Sequence, residues 1–263
     1  CSTSSPRTTL KKFLFADLDD TLFQTFGKCG THRDAPDALQ PAAYYKDGSI
    51  CSYTTPAQRS FLALLQDGMT MIPTTARDLD GLRRVHLPFT SYAVINYGGV
   101  VLEPGGEVDR PFLEGVRTAM HTALPGLLEL AAHIDAHGAR TGYAGRARMI
   151  EDIGTPFFLV VKDPDKLSER LAPLEEHVVR PWIADGNRDY VVHRNGNNLA
   201  ILPKALDKAH AVAHITARLK AEHGEIVTFG MGDSRSDARF MAACDYAIIP
   251  RGTQLAGVTV GAL

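Results

Sequence analysis

This 263-residue sequence predicts an α/β fold in which a Rossmann-like parallel sheet is interrupted by an inserted α+β domain. Three observations predict it. A short apolar run at 12–16 ends abruptly in the acidic residues DLDD, as suits a strand buried on both faces of a parallel sheet. Strand-like and helix-like stretches alternate up to about Ile95 and again from Asp207 onward, the rhythm that builds parallel sheets. Between about Pro104 and Leu202 the rhythm breaks, and Tyr190 to Leu202 reads as a hairpin, which belongs to an antiparallel sheet. The core is therefore expected in two pieces, 1–103 and 203–263, with the α+β domain inserted over 104–202.

In chain order, the strand at 12–16 is followed by irregular text from Phe23 to Thr54, rich in Gly, Pro, Asp and Tyr. That is long for a connection and is expected to be functional or to form a small flap. Thr55-Pro56-Ala57-Gln58 reads as a capping box with Pro at the first helical position. Phe61, Leu64 and Leu65 supply the apolar stripe and Gly68 the stop. A strand at Met69 to Pro73, a short helix from about Arg77 to Val85 and a strand at Tyr92 to Ile95 follow. In the insertion, a helix near Pro111 to His133 precedes strands at Arg148 to Ile153 and Phe157 to Val161. A helix around Pro164 to Glu176 then leads to the hairpin, for which Asn195-Gly196 predicts a two-residue type I′ turn. A helix after Asp207 carries Val212, Ile215 and Leu219 and stops at Gly224. The last elements are a strand at Ile226 to Phe229 and a helix holding Phe240, Met241 and Cys244.

Composition narrows the function classes. The 28 Lys+Arg and 30 Asp+Glu give a net charge of −2, and no basic block stands out, so neither nucleic acid nor a membrane surface is the expected partner. No apolar run approaches the length of a membrane span. Cys1, Cys29, Cys51 and Cys244 form no CxxC pair and no disulfide framework, so a reduced, cytoplasmic protein is expected. A Cys at position 1 suggests a trimmed or replaced start.

The candidate chemistry lies where strands end. Asp17 and Asp19 follow the first strand, the place where open α/β sheets bind ligands. Residues i and i+2 of an extended segment share a side, so both face one site while Leu18 turns inward. Two carboxylates so close are expected to differ. One stays ionised as nucleophile and metal ligand, while its neighbour shifts toward a proton-donating role. Capping a turn is the plainer use of such a cluster, but a second acidic motif argues against it: Gly230-Met231-Gly232-Asp233-Ser234-Arg235-Ser236-Asp237 also follows a strand. Carboxylates from two strand ends with few histidines suit Mg2+ better than zinc. Ser234 to Asp237 also fits a capping box, so Asp237 has two readings, helix cap and metal ligand. Thr75, in Thr74-Thr75-Ala76-Arg77, enters a helix start that can cradle an anion. Lys208 opens a helix at its positive end, an electrostatically poor place unless it serves a phosphate or a carboxylate cluster.

DLDDT, TTAR, Lys208 and GDSRSD, in that order from Asp17 to Asp237, resemble motifs one to four of the haloacid dehalogenase (HAD) superfamily. An insertion between the second and third motifs resembles its C2-capped branch (Cof-type and sucrose-phosphatase-like, subfamily IIB). LPKALDKAHAV resembles that branch's third motif, with Lys208 rather than Lys204 at the functional position, and Thr75 matches the hydroxyl of its T-G-R pattern. Ala76 stands where glycine is usual, Ser236 where asparagine is frequent, and Tyr97-Gly98-Gly99 where Asn-Gly is common.

The resemblance implies a Mg2+-dependent phosphatase acting on a small phosphate ester, a sugar phosphate first, under a C2-type cap. Asp17 would attack phosphorus to give an aspartyl-phosphate, and Asp19 would protonate the leaving oxygen and then activate water. Thr75 and Lys208 would hold the phosphoryl oxygens, and Asp17, the Asp19 carbonyl, Asp233 and Asp237 would serve the metal. Phosphotransfer to another hydroxyl, as in a mutase, and a non-catalytic phosphate-sensing module are the alternatives.

Other motifs carry less. Gly230-x-Gly232 lacks the third glycine of a dinucleotide fingerprint, and HAVAH lacks the Glu of HExxH. Cys29, His32 and Cys51 supply three ligands without a standard zinc spacing. In the insertion, Arg146, Arg148, His193, Arg194, Asn197 and Asn198 could meet substrate, with Arg194 and Asn197, which flank the tight turn, as the expected contacts.

Overall fold

The computed structural model describes residues 9–186 and 189–262; Cys1 lies outside them. Strand β1 (Lys11–Ala16) is followed by three short 3-10 turns, the pair β2 (Gln40–Tyr44) and β3 (Ile50–Thr54), helix α1 (Pro56–Gly68), β4 (Thr70–Pro73), α2 (Leu79–Arg83), β5 (Ala93–Ile95) and β6 (Val100–Leu102). Next come α3 (Arg110–Thr141), β7 (Ala147–Asp152), β8 (Thr155–Val161), α4 (Leu171–Leu174), a π-helical turn at Glu175–Val179, α5 (Arg180–Ala184), β9 (Tyr190–Asn195) and β10 (Asn198–Pro203). The chain closes with α6 (Lys208–His223), β11 (Ile226–Met231), α7 (Ala238–Ala242), β12 (Tyr246–Ile248) and α8 (Gln254–Val258). Among the described residues, no helix is long and apolar enough to cross a membrane.

The first sheet has the order β12-β11-β1-β4 with every pairing parallel. Its central strand explains the continuous apolar run. Phe13 and Phe15 pack on one face with Val212, Ile215 and Phe240, while Leu14 and Ala16 pack on the other with Leu62, Leu65 and Met71. Beyond β4 the sheet continues through a parallel bridge between Thr74 and Val94, and the short antiparallel β5–β6 hairpin closes that edge. In α1, Thr55 and Gln58 form the full capping box. The apolar stripe differs from expectation: Leu64 is 69% exposed and Leu62 is buried in its place, because 62 and 65, three apart, share the face that meets β4.

The second sheet has the order β7-β8-β10-β9 and is antiparallel throughout. Leu159, Val161, Leu199 and Ile201 face Leu127, Leu130 and Ile134 of α3 and Trp182 of α5. Phe158, Val160, Ala200 and Leu202 face the other way, toward Ile95, Tyr97 and Val100 of the first sheet's edge. This period-two split puts one face of the cap over the core. Helix α3 is longer than its sequence pattern suggests and joins the two halves, since its Leu113 and Met120 belong to the cluster shared with the core. Its N-cap Asp109 accepts from the Phe112 amide at 3.0 Å and from Arg218 of α6 at 2.8 Å.

Two further expectations shift. The helix expected at Pro164 to Glu176 starts later, at a 3-10 turn at Ser168–Arg170, and runs on to Ala184. In the hairpin, Asn195 pairs with Asn198, so the loop is Gly196-Asn197 rather than Asn195-Gly196. Only Gly196 has positive φ there, at 54°, the pattern of a type II′ turn, which takes Gly first.

Candidate active site

Parallel register brings the functional segments together. Ala16 lies beside both Pro73 and Met231, so Asp17, Thr74-Thr75 and Gly232-Asp233 leave three adjacent strands at one level. The Asp17 amide still donates to the Met231 carbonyl at 2.8 Å, and the Thr74 amide to the Ala16 carbonyl at 2.7 Å. Glycine is required beside Asp233: a Cβ on Gly232 would lie 2.4 Å from the Asp237 Cβ, and one on Gly230 would lie 2.7 Å from the Met241 Cα. The two glycines let α7 close onto β11, which answers the dinucleotide reading of the same motif.

Lys208 is the hub. Its side chain is 3% exposed, and its Nζ donates to Asp17 Oδ1 and Asp237 Oδ1, each at 2.7 Å. Burial alone would lower its pKa, but the two carboxylates outweigh burial and raise it, so it stays charged. The ammonium also lies 5.9 Å from the Tyr97 ring centre and 5.6 Å from that of Phe240. Asn96, Tyr97 and Gly98 all have positive φ, and a Cβ on Gly98 would lie 2.4 Å from the Asp207 carbonyl oxygen. A backbone conformation that costs energy for non-glycine residues thus wedges this loop against the start of α6 and fixes Lys208.

Asp17, Asp233 and Asp237 each offer an oxygen within 4.8 Å of the others, the only such group of potential metal ligands among the described residues. Cys29, His32 and Cys51 therefore form no such group. Burial first, then Asp237 and Asp233, raises the Asp17 pKa well above the ordinary carboxylate value, against the pull of Lys208. Burial, with Asp237 and Asp20, lifts Asp233 to about 7. Three buried carboxylates facing one ammonium carry excess negative charge, and a divalent cation with oxygen preference fits that donor set. Asp237 sits in the carboxylate cluster and keeps part of the capping box. Its Oδ2 accepts from the Ser234 amide at 3.0 Å, half of the capping box, while Oδ1 holds Lys208; it makes no side-chain cap to α7.

For Asp19 the atom expected at the metal is the backbone carbonyl, not the carboxylate. Its side chain is 50% exposed and lies outside that cluster. Arg77 Nε and Nη2 donate to its two oxygens at 2.7 Å each, while Leu18 between the two aspartates is fully buried as expected. Thr75 is buried and lines the same cleft, its Oγ1 accepting from the Arg77 amide at 3.1 Å.

The cleft between core and cap has a volume of about 960 Å3. From the cap, Arg148, Lys162, Glu175, His193, Arg194, Asn195 and Asn198 line it. Arg194 is there, but its Nε is held by Glu175 Oε2 at 2.7 Å, and Arg180 pairs with the same carboxylate. Asn197 is not at the site. Its amide clasps Asp163, accepting from that residue's N–H and donating to its carbonyl, both at 2.9 Å, because the turn sits one residue later than the Asn-Gly pair suggests. Asn195 takes its place, with Nδ2 3.5 Å from Asp233 Oδ2. Arg146 points away, 3.8 Å from Asp135. Sequence reading gave no place at the site to Arg77, Asn195, Lys162 or Glu175. Period-two alternation from Arg148 and Val160 would have marked Lys162, but the Arg77–Asp19 pair spans 58 positions and left no local signal.

No protein-family model matches the chain, and no curated protein matches it. Solved structures do. The C-terminal domain of the trehalose-6-phosphate phosphatase of C. albicans is 13% identical and aligns over 89% of this chain and 74% of its own, with a TM-score of 0.56. The sucrose-phosphatase from Synechocystis, solved with sucrose and phosphate, is 12% identical over 96% and 97% of the two chains, with a TM-score of 0.49. A haloacid dehalogenase-like hydrolase from B. subtilis is 12% identical over 91% and 95%, with a TM-score of 0.43. The chain has the fold of the first of these, a parallel α/β core carrying an α+β cap, which is the architecture its motifs resemble.

Proposed function

We propose that the protein is a Mg2+-dependent phosphatase that hydrolyses a small phosphorylated metabolite, a sugar phosphate first, with residues 104–202 acting as the cap. The observation that carries the reading is the buried Asp17–Lys208–Asp237 chain with Asp233 beside it at the carboxyl ends of adjacent parallel strands. Fold likeness to a phosphatase domain supports it.

Asp17, Asp233 and Asp237 would hold the cation, which when bound would neutralise charge on the phosphoryl oxygens. An Asp17 carboxylate oxygen attacks phosphorus as the ester oxygen departs, and that oxygen takes a proton from Asp19. Asp19 then removes a proton from water, whose oxygen attacks the same phosphorus, so that the bond to Asp17 breaks and phosphate leaves. Lys208 and Thr75 hold the equatorial oxygens as charge develops. In the resting site Arg77 donates to both Asp19 oxygens, so Asp19 must part from Arg77 and carry a proton before it serves the leaving oxygen, and cap burial excludes bulk water.

Hydrolysis of a generic aryl phosphate and a panel of sugar phosphates, with and without EDTA, tests this. Phosphate release that EDTA abolishes and Mg2+ restores is expected. Indifference to EDTA would contradict the metal assignment, and no release from any ester would contradict the phosphatase.

A further inference from the structure

On the cap face of the cleft, side-chain alternation places Arg148 and Ile150 of β7 beside Phe158 and Val160 of β8, with Lys162 just past the strand end. Arg148 pairs with Val160 in register, so Lys162, two residues on, is its diagonal neighbour, within reach of long side chains. Most other cations at the cleft are neutralised: Arg77 by Asp19, Arg84 by Asp80, Lys208 by Asp17 and Asp237, and Arg180 and Arg194 by Glu175, while Arg235 lies exposed on the core side. Arg148 and Lys162 form no ion pair among the described residues, and Asp19, whose charge acts on Lys162, already accepts from Nε and Nη2 of Arg77 on its two oxygens.

We propose that Arg148 and Lys162 form a second anion subsite, so that the substrate class is a phosphate ester carrying a further phosphate or carboxylate on its leaving group. The inference rests on the phosphatase reading for the position of the first phosphate. An arginine fork and an adjacent ammonium are the donors that such an anion needs. Burial and then Arg148 lower the Lys162 pKa, while Asp19 opposes them; the two like charges are thus unfavourable together until an anion enters. The attraction of Lys162 to Asp19 puts the subsite on the side of the residue that serves the leaving oxygen, and the cleft volume leaves room for a substrate of several functional groups.

Matched pairs of esters test this: fructose 1,6-bisphosphate against fructose 6-phosphate for a second phosphate, and 3-phosphoglycerate against glycerol 3-phosphate for a carboxylate. In at least one pair, the doubly anionic member should have the higher kcat/KM by about tenfold or more, and R148Q/K162Q should reduce that ratio by at least about tenfold. The pair that responds identifies the second anion. An unchanged ratio in both pairs overturns the subsite while leaving the phosphatase standing. Calorimetric titration of the same esters in EDTA reads binding apart from turnover. The doubly anionic ester of the responding pair should bind the wild type at least about tenfold more tightly than the double variant. Equal affinities for both doubly anionic esters overturn the subsite even if no ester is hydrolysed.

Discussion

The two walls of the cleft are built on opposite plans. On the core wall most charged groups are committed: Asp17 and Asp237 to Lys208, and Asp19 to Arg77, with the backbone of three parallel strands fixing where they stand. On the cap wall the groups alternate along strands, and Arg148 and Lys162 face the cleft with no carboxylate of their own. A mostly paired constellation held at strand ends is preorganised for one chemical step, whereas a wall that leaves two cations without a carboxylate is shaped for the variable part of a ligand. The contrast teaches that mutations on the core wall should reduce kcat for every ester and that mutations on the cap wall should change which ester is preferred.

The largest effect should come from Asp17→Asn, which keeps the shape and removes the nucleophile; turnover of all esters should fall by more than about a thousandfold, with the fold retained by circular dichroism. Near-normal rates would break the contrast outright. Lys208→Ala should cost at least about a hundredfold in kcat. It should also destabilise by about 3 to 5 kcal/mol, because Asp17 and Asp237 would be left buried without their cation; a loss under about threefold would return Lys208 to a structural role. Gly98→Ala forces a side chain against the Asp207 backbone at a φ of +94°, and a stability loss of about 1 to 3 kcal/mol is expected. Its kcat should fall more than its KM rises, since the displaced element carries Lys208.

Smaller effects belong to the cap and its joint. Asn197→Ala frees the Asp163 amide from its acceptor and should cost about 1 kcal/mol in stability with kcat nearly unchanged, which would separate it from the cleft residues. Asp109→Ala removes the α3 cap and should cost about 1 to 2 kcal/mol by urea unfolding. Burial alone would raise the Asp109 pKa, but the Phe112 amide, His214 and Arg218 outweigh it and hold it below the ordinary value of 3.8. The stabilisation is therefore complete above the ordinary pKa and disappears as pH falls through the depressed one, so the gap between wild type and variant should narrow in acid.

The core wall was legible in the sequence because its residues sit at punctuation marks. Asp17, Thr75 and Asp233 follow strand ends, and Lys208 opens a helix, so order along the chain translated into position in space. The discontinuity of the core was legible for the same reason: its parallel rhythm stops and resumes. The cap wall was less so. Its residues are assigned by register, and a one-residue difference in the hairpin turn moved Asn197 from the cleft to a clasp on Asp163 and put Asn195 in its place. Leu64 and Leu62 exchanged roles because Phe61 to Leu65 is apolar at every position, which leaves the buried face open until the sheet beneath is known. The Arg77–Asp19 pair and the convergence of Arg148 with Lys162 are tertiary, and no local spacing announces them.

Acid quenching during turnover of a labelled aryl phosphate, followed by peptide mapping, tests the central assignment most directly. The account predicts a phosphorylated peptide whose modified residue is Asp17, absent from Asp17→Asn. Label on another residue, or steady hydrolysis with no phosphoenzyme under any quench time, would contradict it.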